Sequence, residues 1–129
     1  MAFTSDNLRR VFQEAFSVRD IAQTLLSFDR ATACEQVKAI LVEKGTDVAG
    51  LRTDGFVSGF VVFSELSSGN CGEVAHALDD SQIVPDTLPL CSLVLRLRDQ
   101  PRLFVSGLGQ VSGVVTRRTV RRRLARRIV

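Results

Sequence analysis

The sequence predicts an α+β fold in which one small helix–strand–turn–strand unit is used twice, preceded by an amphipathic helix. Three observations carry this. Gly55-Phe56-Val57-Ser58-Gly59-Phe60-Val61 and Gly109-Gln110-Val111-Ser112-Gly113-Val114-Val115 agree at five of seven positions, 54 residues apart. The same order of helical stretch, β-rich run and glycine turn surrounds both copies, and such a period marks one supersecondary unit used again. Finally, Leu8, Val11, Phe12, Ala15 and Phe16 recur at i, i+3, i+4, i+7 and i+8, the apolar stripe of a helix. A single copy has too few strands to cover its own apolar face, and two packed together can do so.

Taken in order, Ser5 or Asp6 can cap the first helix. Ser17-x-x-Asp20 begins a second capping pattern, and a short helix is expected over residues 21–26. Thr32-x-x-Glu35 is a capping box ahead of Val37, Ile40 and Leu41 at helical spacing, and Gly45 stands where a left-handed residue would end that helix. A strand over residues 48–51, a tight turn at Thr53-Asp54-Gly55 and a Val/Phe-rich strand over residues 56–63 follow. Ser67-Ser68-Gly69-Asn70 is a linker by composition. Residues 72–78 then resemble residues 19–25, each a short apolar, helix-like run. Ile83 and Val84 form an extended piece before Pro85, and Asp86 or Thr87 caps a helix with Pro89 in its first turn. Leu90, Leu93, Val94 and Leu97 give that helix its apolar face. Residues 103–105, the turn Gly107-Leu108-Gly109 and residues 111–116 complete the second unit, and a terminal helix begins near Arg118. The division expected is 1–17 as a helical extension, 18–68 as the first motif and 69–129 as the second.

The 129 residues are 45 % hydrophobic, enough for a packed core, with eight Phe and neither Trp nor Tyr. The apolar runs fall short of the ~20 residues that a membrane helix needs, and the N-terminus lacks a signal-peptide core. A soluble cytoplasmic protein is expected. Cys34, Cys71 and Cys91 are odd in number and widely spaced, which fits reduced, mostly buried thiols better than a zinc site or a disulfide framework. The net charge of +3 conceals an asymmetry. Seven of the 17 basic residues are arginines between Arg117 and Arg127, so the remainder carries ten bases against 14 acids, a net −4.

The repeat resembles the cystathionine-β-synthase (CBS) motif, whose mark is a hairpin followed by glycine, two hydrophobics and T-x-x-D at a helix start. The second copy reads Gly113-Val114-Val115-Thr116-Arg117-Arg118-Thr119-Val120, and the first Gly59-Phe60-Val61-Val62-Phe63-Ser64-Glu65-Leu66. The resemblance covers the chain from about Val18 onward. It implies two βαββα-type units related by pseudo-twofold symmetry, a regulatory module without catalytic or metal-binding residues, and a homodimer. It also implies clefts for adenosine-containing ligands such as AMP, ATP or S-adenosylmethionine, in which the motif's threonine contacts phosphate and its aspartate the ribose hydroxyls.

Both copies depart from that motif. Thr116 is kept, but Thr119 stands in the aspartate position; Val62 replaces the other threonine and Glu65 the other aspartate. At most one ligand is therefore expected, at the second copy. There Thr116, Thr119, Arg117 and Arg118 would hold an anion at a helix N-terminus, and Ile83, Val84 and Pro85 would wall in a base. Glu65 would reach a ribose from the first copy. Thr116 as a plain helix cap, with the arginines in water, is the competing reading. His76 is read as a surface or interface histidine, and Asp79-Asp80 as part of a turn. No phosphate-loop motif is present.

Two further readings stay open. The chain is a ligand-free dimerisation scaffold, or the arginine-rich helix, with Val120, Leu124 and Ile128 as an apolar stripe, binds nucleic acid. Against the latter, no aromatics for base stacking interleave the arginines. The apolar end at Ile128-Val129 reads as that of a domain cut from a longer protein.

Overall fold

The computed structural model describes residues 16–128, with side chains as far as Arg122. Its strands are β1 (Gln23–Thr24), β2 (Ser27–Asp29), β3 (Val48–Thr53), β4 (Phe56–Val62), β5 (His76–Ala77), β6 (Ile83–Pro85), β7 (Arg102–Gly107) and β8 (Gln110–Thr116). Its α-helices are α1 (Cys34–Lys44), α2 (Leu90–Arg96) and α3 (Arg117–Ile128). The fold is α+β, with two four-stranded sheets ordered β2-β3-β4-β5 and β1-β8-β7-β6. The expected N-terminal helix, and the Leu124 and Ile128 side chains of the apolar stripe, lie outside the described residues. Among the described residues no helix is long and apolar enough to cross a membrane.

Two compact units emerge. The first spans Leu25–Asp80; the second joins the described residues up to Thr24 to those from Ser81 onward. In the first, α1 ends where Gly45 adopts φ 67°, ψ 33°, a left-handed conformation without penalty for glycine, and Thr46 N–H returns to Leu41 O at 3.1 Å. Strand β3 pairs parallel to β2 and antiparallel to β4. The β3–β4 turn has Asp54 at φ 54° and Gly55 at φ 84°, both positive as a two-residue hairpin with the sheet's twist requires. Cys34, Val37 and Leu41 of α1 pack on Ala49, Leu51, Val61, Leu66 and Cys71, all buried.

The second unit repeats this plan. Strand β7 pairs parallel to β6 and antiparallel to β8. Each hairpin shifts register once, between Leu51 and Arg52 in one and between Val105 and Ser106 in the other, again 54 residues apart. The turn uses Leu108 at φ 53° and Gly109 at φ 79°, and the Leu108 side chain projects fully into solvent. Leu90, Leu93 and Leu97 pack on Val18, Ile21, Val84, Leu103, Val105, Val115 and Val120, with Val94 and Phe16 partly buried against them.

Several local expectations are corrected. Residues 21–26 are not a helix. The capping pattern does form, as the Asp20 carboxylate accepts from Ser17 N–H at 2.8 Å, but it closes a single 3-10 turn over Val18–Asp20. Gln23 and Thr24 then extend and pair with Val114 and Gly113, because the open edge of β8 offers backbone partners that a short helix would forgo. Residues 72–78 behave likewise: a 3-10 turn over Cys71–Val74, then β5 on β4. Thr32 does not cap α1. The N-cap is Ala33, and the first amide, Cys34 N–H, is taken by Gly69 O at 2.8 Å. Helix α2 begins after Pro89 rather than at Asp86 or Thr87, with Leu90 N–H on Phe16 O at 3.1 Å. In both places a distant carbonyl removed the need for a side-chain cap.

Cys34 and Cys71 are buried and Cys91 is exposed. Burial chiefly, with the neighbouring Cys34 second, raises the Cys71 thiol above its ordinary value. A thiol raised in the folded state keeps its proton longer than in the unfolded chain. The stability it contributes is therefore complete at neutral pH and is lost as pH climbs past the ordinary thiol range, about 8.5. A thiol reagent at neutral pH should label Cys91 quickly and the other two only after denaturation. Rapid labelling of all three in the native protein would contradict the packing.

Candidate functional site

The two units share a backbone frame that places their side chains in equivalent positions. In the second unit, Val18 N–H donates to Leu88 O (2.9 Å), Arg19 N–H to Asp86 O (2.9 Å) and Leu90 N–H to Phe16 O (3.1 Å). In the first, Cys71 N–H donates to Thr32 O (2.8 Å), Gly72 N–H to Arg30 O (3.0 Å) and Cys34 N–H to Gly69 O (2.8 Å). Asp86 thus answers to Arg30, and Arg19 to Gly72. The hairpin positions correspond through the repeat: Ser112 to Ser58, Gly113 to Gly59 and Gly107 to Thr53.

These equivalent positions carry opposite chemistry. In the second unit Asp86, Arg19, Gln23, Thr24 and Ser112 ring a groove of about 190 Å³, with Ala22, Val105 and Gly113 as its apolar wall. The absence of a side chain at Gly107 lets the Asp86 carboxylate lie over β7; a Cβ there would stand 2.9 Å from Asp86 Oδ2. In the first unit the corresponding ground is occupied. Arg30 Nε donates to Thr53 Oγ1 at 3.0 Å, its Nη2 donates to Ser58 Oγ at 3.4 Å, and Ser58 Oγ donates to Thr53 Oγ1 at 2.8 Å. The same Nη2 lies 3.2 Å from where a Cβ on Gly59 would be. One groove therefore presents a carboxylate and a separate guanidinium, and the other is bridged by an arginine.

The residues singled out from sequence fall as follows. Thr116 and Thr119 come together, Oγ1 to Oγ1 at 3.0 Å, and Thr119 N–H donates to Thr116 Oγ1 at 3.2 Å, so Thr116 caps α3. Thr119 is buried. The Arg117 guanidinium donates through Nε to Leu97 O and through Nη2 to Arg98 O (2.9 Å), which satisfies carbonyls at the end of α2. Arg118 is exposed. Val84 is buried, Ile83 half-buried and Pro85 exposed, directly before Asp86. Glu65 pairs with His76 Nε2 at 2.8 Å, both half exposed, and the His76 ring stacks on Phe60 at 5.1 Å. Arg19 and Asp86 were not among the expected site residues. The signal was present in the match of residues 19–25 to 72–78, where Arg19 stands against a glycine. Among the described residues no group of His, Cys, Asp and Glu can hold a metal ion.

No family model matches the chain, and no curated protein matches it. Solved structures do. The CBS domain of a bacterial CNNM/CorC family Mg2+ transporter in complex with ATP superimposes with a TM-score of 0.74 at 16 % identity, covering 92 % of this chain and 93 % of that one. The fold is that of a CBS-domain pair. CBSX2, a CBS-pair protein from Arabidopsis thaliana, in complex with AMP, has a TM-score of 0.68 at 20 % identity over 86 % of this chain and 97 % of its own. A CBS domain-containing protein of unknown function from Bacillus anthracis has a TM-score of 0.73 at 13 % identity, over 92 % and 99 %. The hairpins β3–β4 and β7–β8 hold the two copies of the sequence repeat, and β1 and β5 add a short strand to β8 and β4. Residues 62–65 and 116–119, read from sequence as departures from T-x-x-D, begin at the ends of β4 and β8.

Proposed function

We propose that the chain is a regulatory, non-catalytic module that senses an adenosine-containing ligand, AMP, ATP or S-adenosylmethionine, in at most one groove, that of the second repeat. The observation that carries this is the asymmetry between Asp86 and Arg30. A carboxylate can accept both hydroxyls of a ribose, Arg19 can pair with a phosphate or carboxylate, and Ala22, Val105 and Gly113 offer a flat apolar wall to a base. The equivalent ground in the first repeat is bridged by Arg30. Two solved structures of the same fold, at 16 % and 20 % identity, are complexes with ATP and AMP. A homodimer in the cytoplasm is part of this reading. Thr116, Thr119, Arg118, Ile83, Val84 and Pro85, expected at the site from sequence, do not line this groove; in this reading Thr116 and Thr119 cap α3, Val84 packs in the core, and Glu65 and Arg117 act structurally.

The test is calorimetry together with thermal denaturation of the whole chain in AMP, ADP, ATP and S-adenosylmethionine. A ligand at a hundredfold excess over its dissociation constant should add about 2.7 kcal/mol of stability. Asp86→Ala should abolish that gain and Glu65→Gln should leave it. A null response to all four ligands at millimolar concentration would overturn the sensor.

A second reading, a ligand-free dimerisation scaffold, is favoured by one observation. Thr116 and Thr119 satisfy each other, and Arg117 is spent on the carbonyls of α2. The null response would establish it, provided sedimentation shows a dimer. A steep, salt-dependent affinity for DNA or RNA would displace both readings in favour of the basic helix.

A further inference from the structure

The two repeats keep the same apolar wall and differ at the polar positions around it. Ala22, Val105 and Gly113 of the open groove correspond to Ala75, Leu51 and Gly59 of the first repeat, because Thr24 stands opposite Gly113 as Ala77 stands opposite Gly59. The differences are Asp86 against Arg30, Gly107 against Thr53 and Arg19 against Gly72. The first two act together. Where Gly107 leaves room for the Asp86 carboxylate, Thr53 offers a hydroxyl that accepts from Arg30 Nε at 3.0 Å. Thr53 Oγ1 also accepts from Ser58 Oγ at 2.8 Å, and Ser58 Oγ accepts from Arg30 Nη2 at 3.4 Å, so the guanidinium is held by hydroxyls that also hold each other. It rests over Gly59, with Nη2 3.2 Å from where a Cβ would be, on the surface whose counterpart, Gly113, walls the open groove.

We propose that Arg30 and Thr53 form a tethered plug. The Arg30 side chain is the built-in occupant of the first groove, and these two residues decide that only the second groove is open. This rests on the nucleoside reading of the second groove. A planar guanidinium laid on the Gly59 surface takes the place that a flat base takes on the other wall. Being part of the chain, it competes at an effective concentration that a free ligand of modest affinity does not reach. With the plug exchanged for the Asp86-type pair, the first groove has the apolar wall and a carboxylate for the ribose hydroxyls, but Gly72 supplies no counterpart of the Arg19 guanidinium. Its ligand class is therefore a neutral nucleoside, whereas the second groove gains from an anionic tail through Arg19.

The exchange Arg30→Asp/Thr53→Gly gives the first repeat the residues of the second at both positions. It is made in the whole chain carrying Asp86→Ala, which isolates the first groove, and adenosine and AMP are titrated by calorimetry. Asp86→Ala alone should bind neither. The triple variant should bind one adenosine per chain, at least as tightly as it binds AMP. Both exchanged side chains are exposed, and an unchanged thermal melt certifies the fold. Should the triple variant melt early, Arg30→Ala in the same background replaces it, and it too should bind adenosine where Asp86→Ala does not. Adenosine bound equally by Asp86→Ala and the triple variant overturns the plug, since the first groove was then open already. A triple variant that binds nothing while the wild type takes up AMP also overturns the plug and leaves the second-groove reading intact. Adenosine bound by the triple variant alone, with no response from the wild type, supports the plug and overturns the second-groove reading. Silence from both proteins overturns both.

Discussion

Leu93→Ala is expected to lower the stability of this protein by about 2–5 kcal/mol, a large share of the roughly 5–15 kcal/mol that a domain of this kind possesses. Leu93 is fully buried, midway along α2, among Leu90, Leu97, Leu103, Val105 and Val115. Truncation loses the transfer free energy of the deleted carbons and also leaves a cavity. The cavity will collapse poorly, because the walls on the sheet side are held by the β7 and β8 hydrogen bonds. Urea denaturation should show a lower midpoint with an unchanged slope. Leu95→Ala, two residues along and mostly in solvent, should stay within about 0.5 kcal/mol of wild type. Similar losses at both positions would mean that α2 is not packed as described.

The second large effect concerns the glycines shared by the repeats. A Cβ on Gly59 would stand 2.7 Å from the carbonyl oxygen of His76, a backbone atom that can yield only if β5 moves away from β4. A Cβ on Gly113 would meet Gln23 O at 3.2 Å and Val105 Cβ at 3.4 Å, tight but within reach of a small adjustment. Gly59→Ala should therefore cost about 1–3 kcal/mol as an overpacked site, and Gly113→Ala should fall at or below the lower end of that range. The Gly59 variant should also speed amide exchange in the segment of β5, since Gly59 pairs with Ala77 and Phe60 with His76. Equal costs for the two substitutions, or unchanged exchange at β5, would refute the close approach.

That pair of glycines also shows how far the sequence could be read. The match of Gly55–Val61 to Gly109–Val115 announced a repeat, and it did so because two physical demands recur. Gly55 and Gly109 hold positive φ in tight hairpins, and Gly59 and Gly113 make room for a crossing short strand. The turn demand is local and was visible at once. The second depends on β5 and β1 coming from elsewhere in the chain, so its reason appeared only in the fold. The same distinction explains the failed caps. Thr32 has the right pattern for a capping box, but Gly69 O is closer to hand, and a distant carbonyl leaves no mark on the local sequence.

The site followed the same rule. The divergence of the T-x-x-D positions was legible, and it directed attention to Thr116, Thr119, Arg117 and Glu65. Their partners were not. Thr119 turns inward to Thr116, Arg117 reaches back to the end of α2, and Glu65 finds His76 eleven residues away. Arg19 and Asp86, which shape the open groove, are 67 positions apart and become neighbours through one backbone hydrogen bond, Arg19 N–H to Asp86 O.

By itself, then, the sequence determined the α+β class, the doubled unit, the left-handed stop at Gly45 and both hairpin turns. Each rests on backbone preferences acting within a few residues, or on a pattern repeated outright. Only the tertiary structure decided that residues 21–26 extend rather than coil, that α1 and α2 are capped from a distance, and that one groove is open while its counterpart is bridged by Arg30. These outcomes depend on which backbone groups and charges meet across long sequence separations, where hydrogen-bond satisfaction and packing outweigh local propensity.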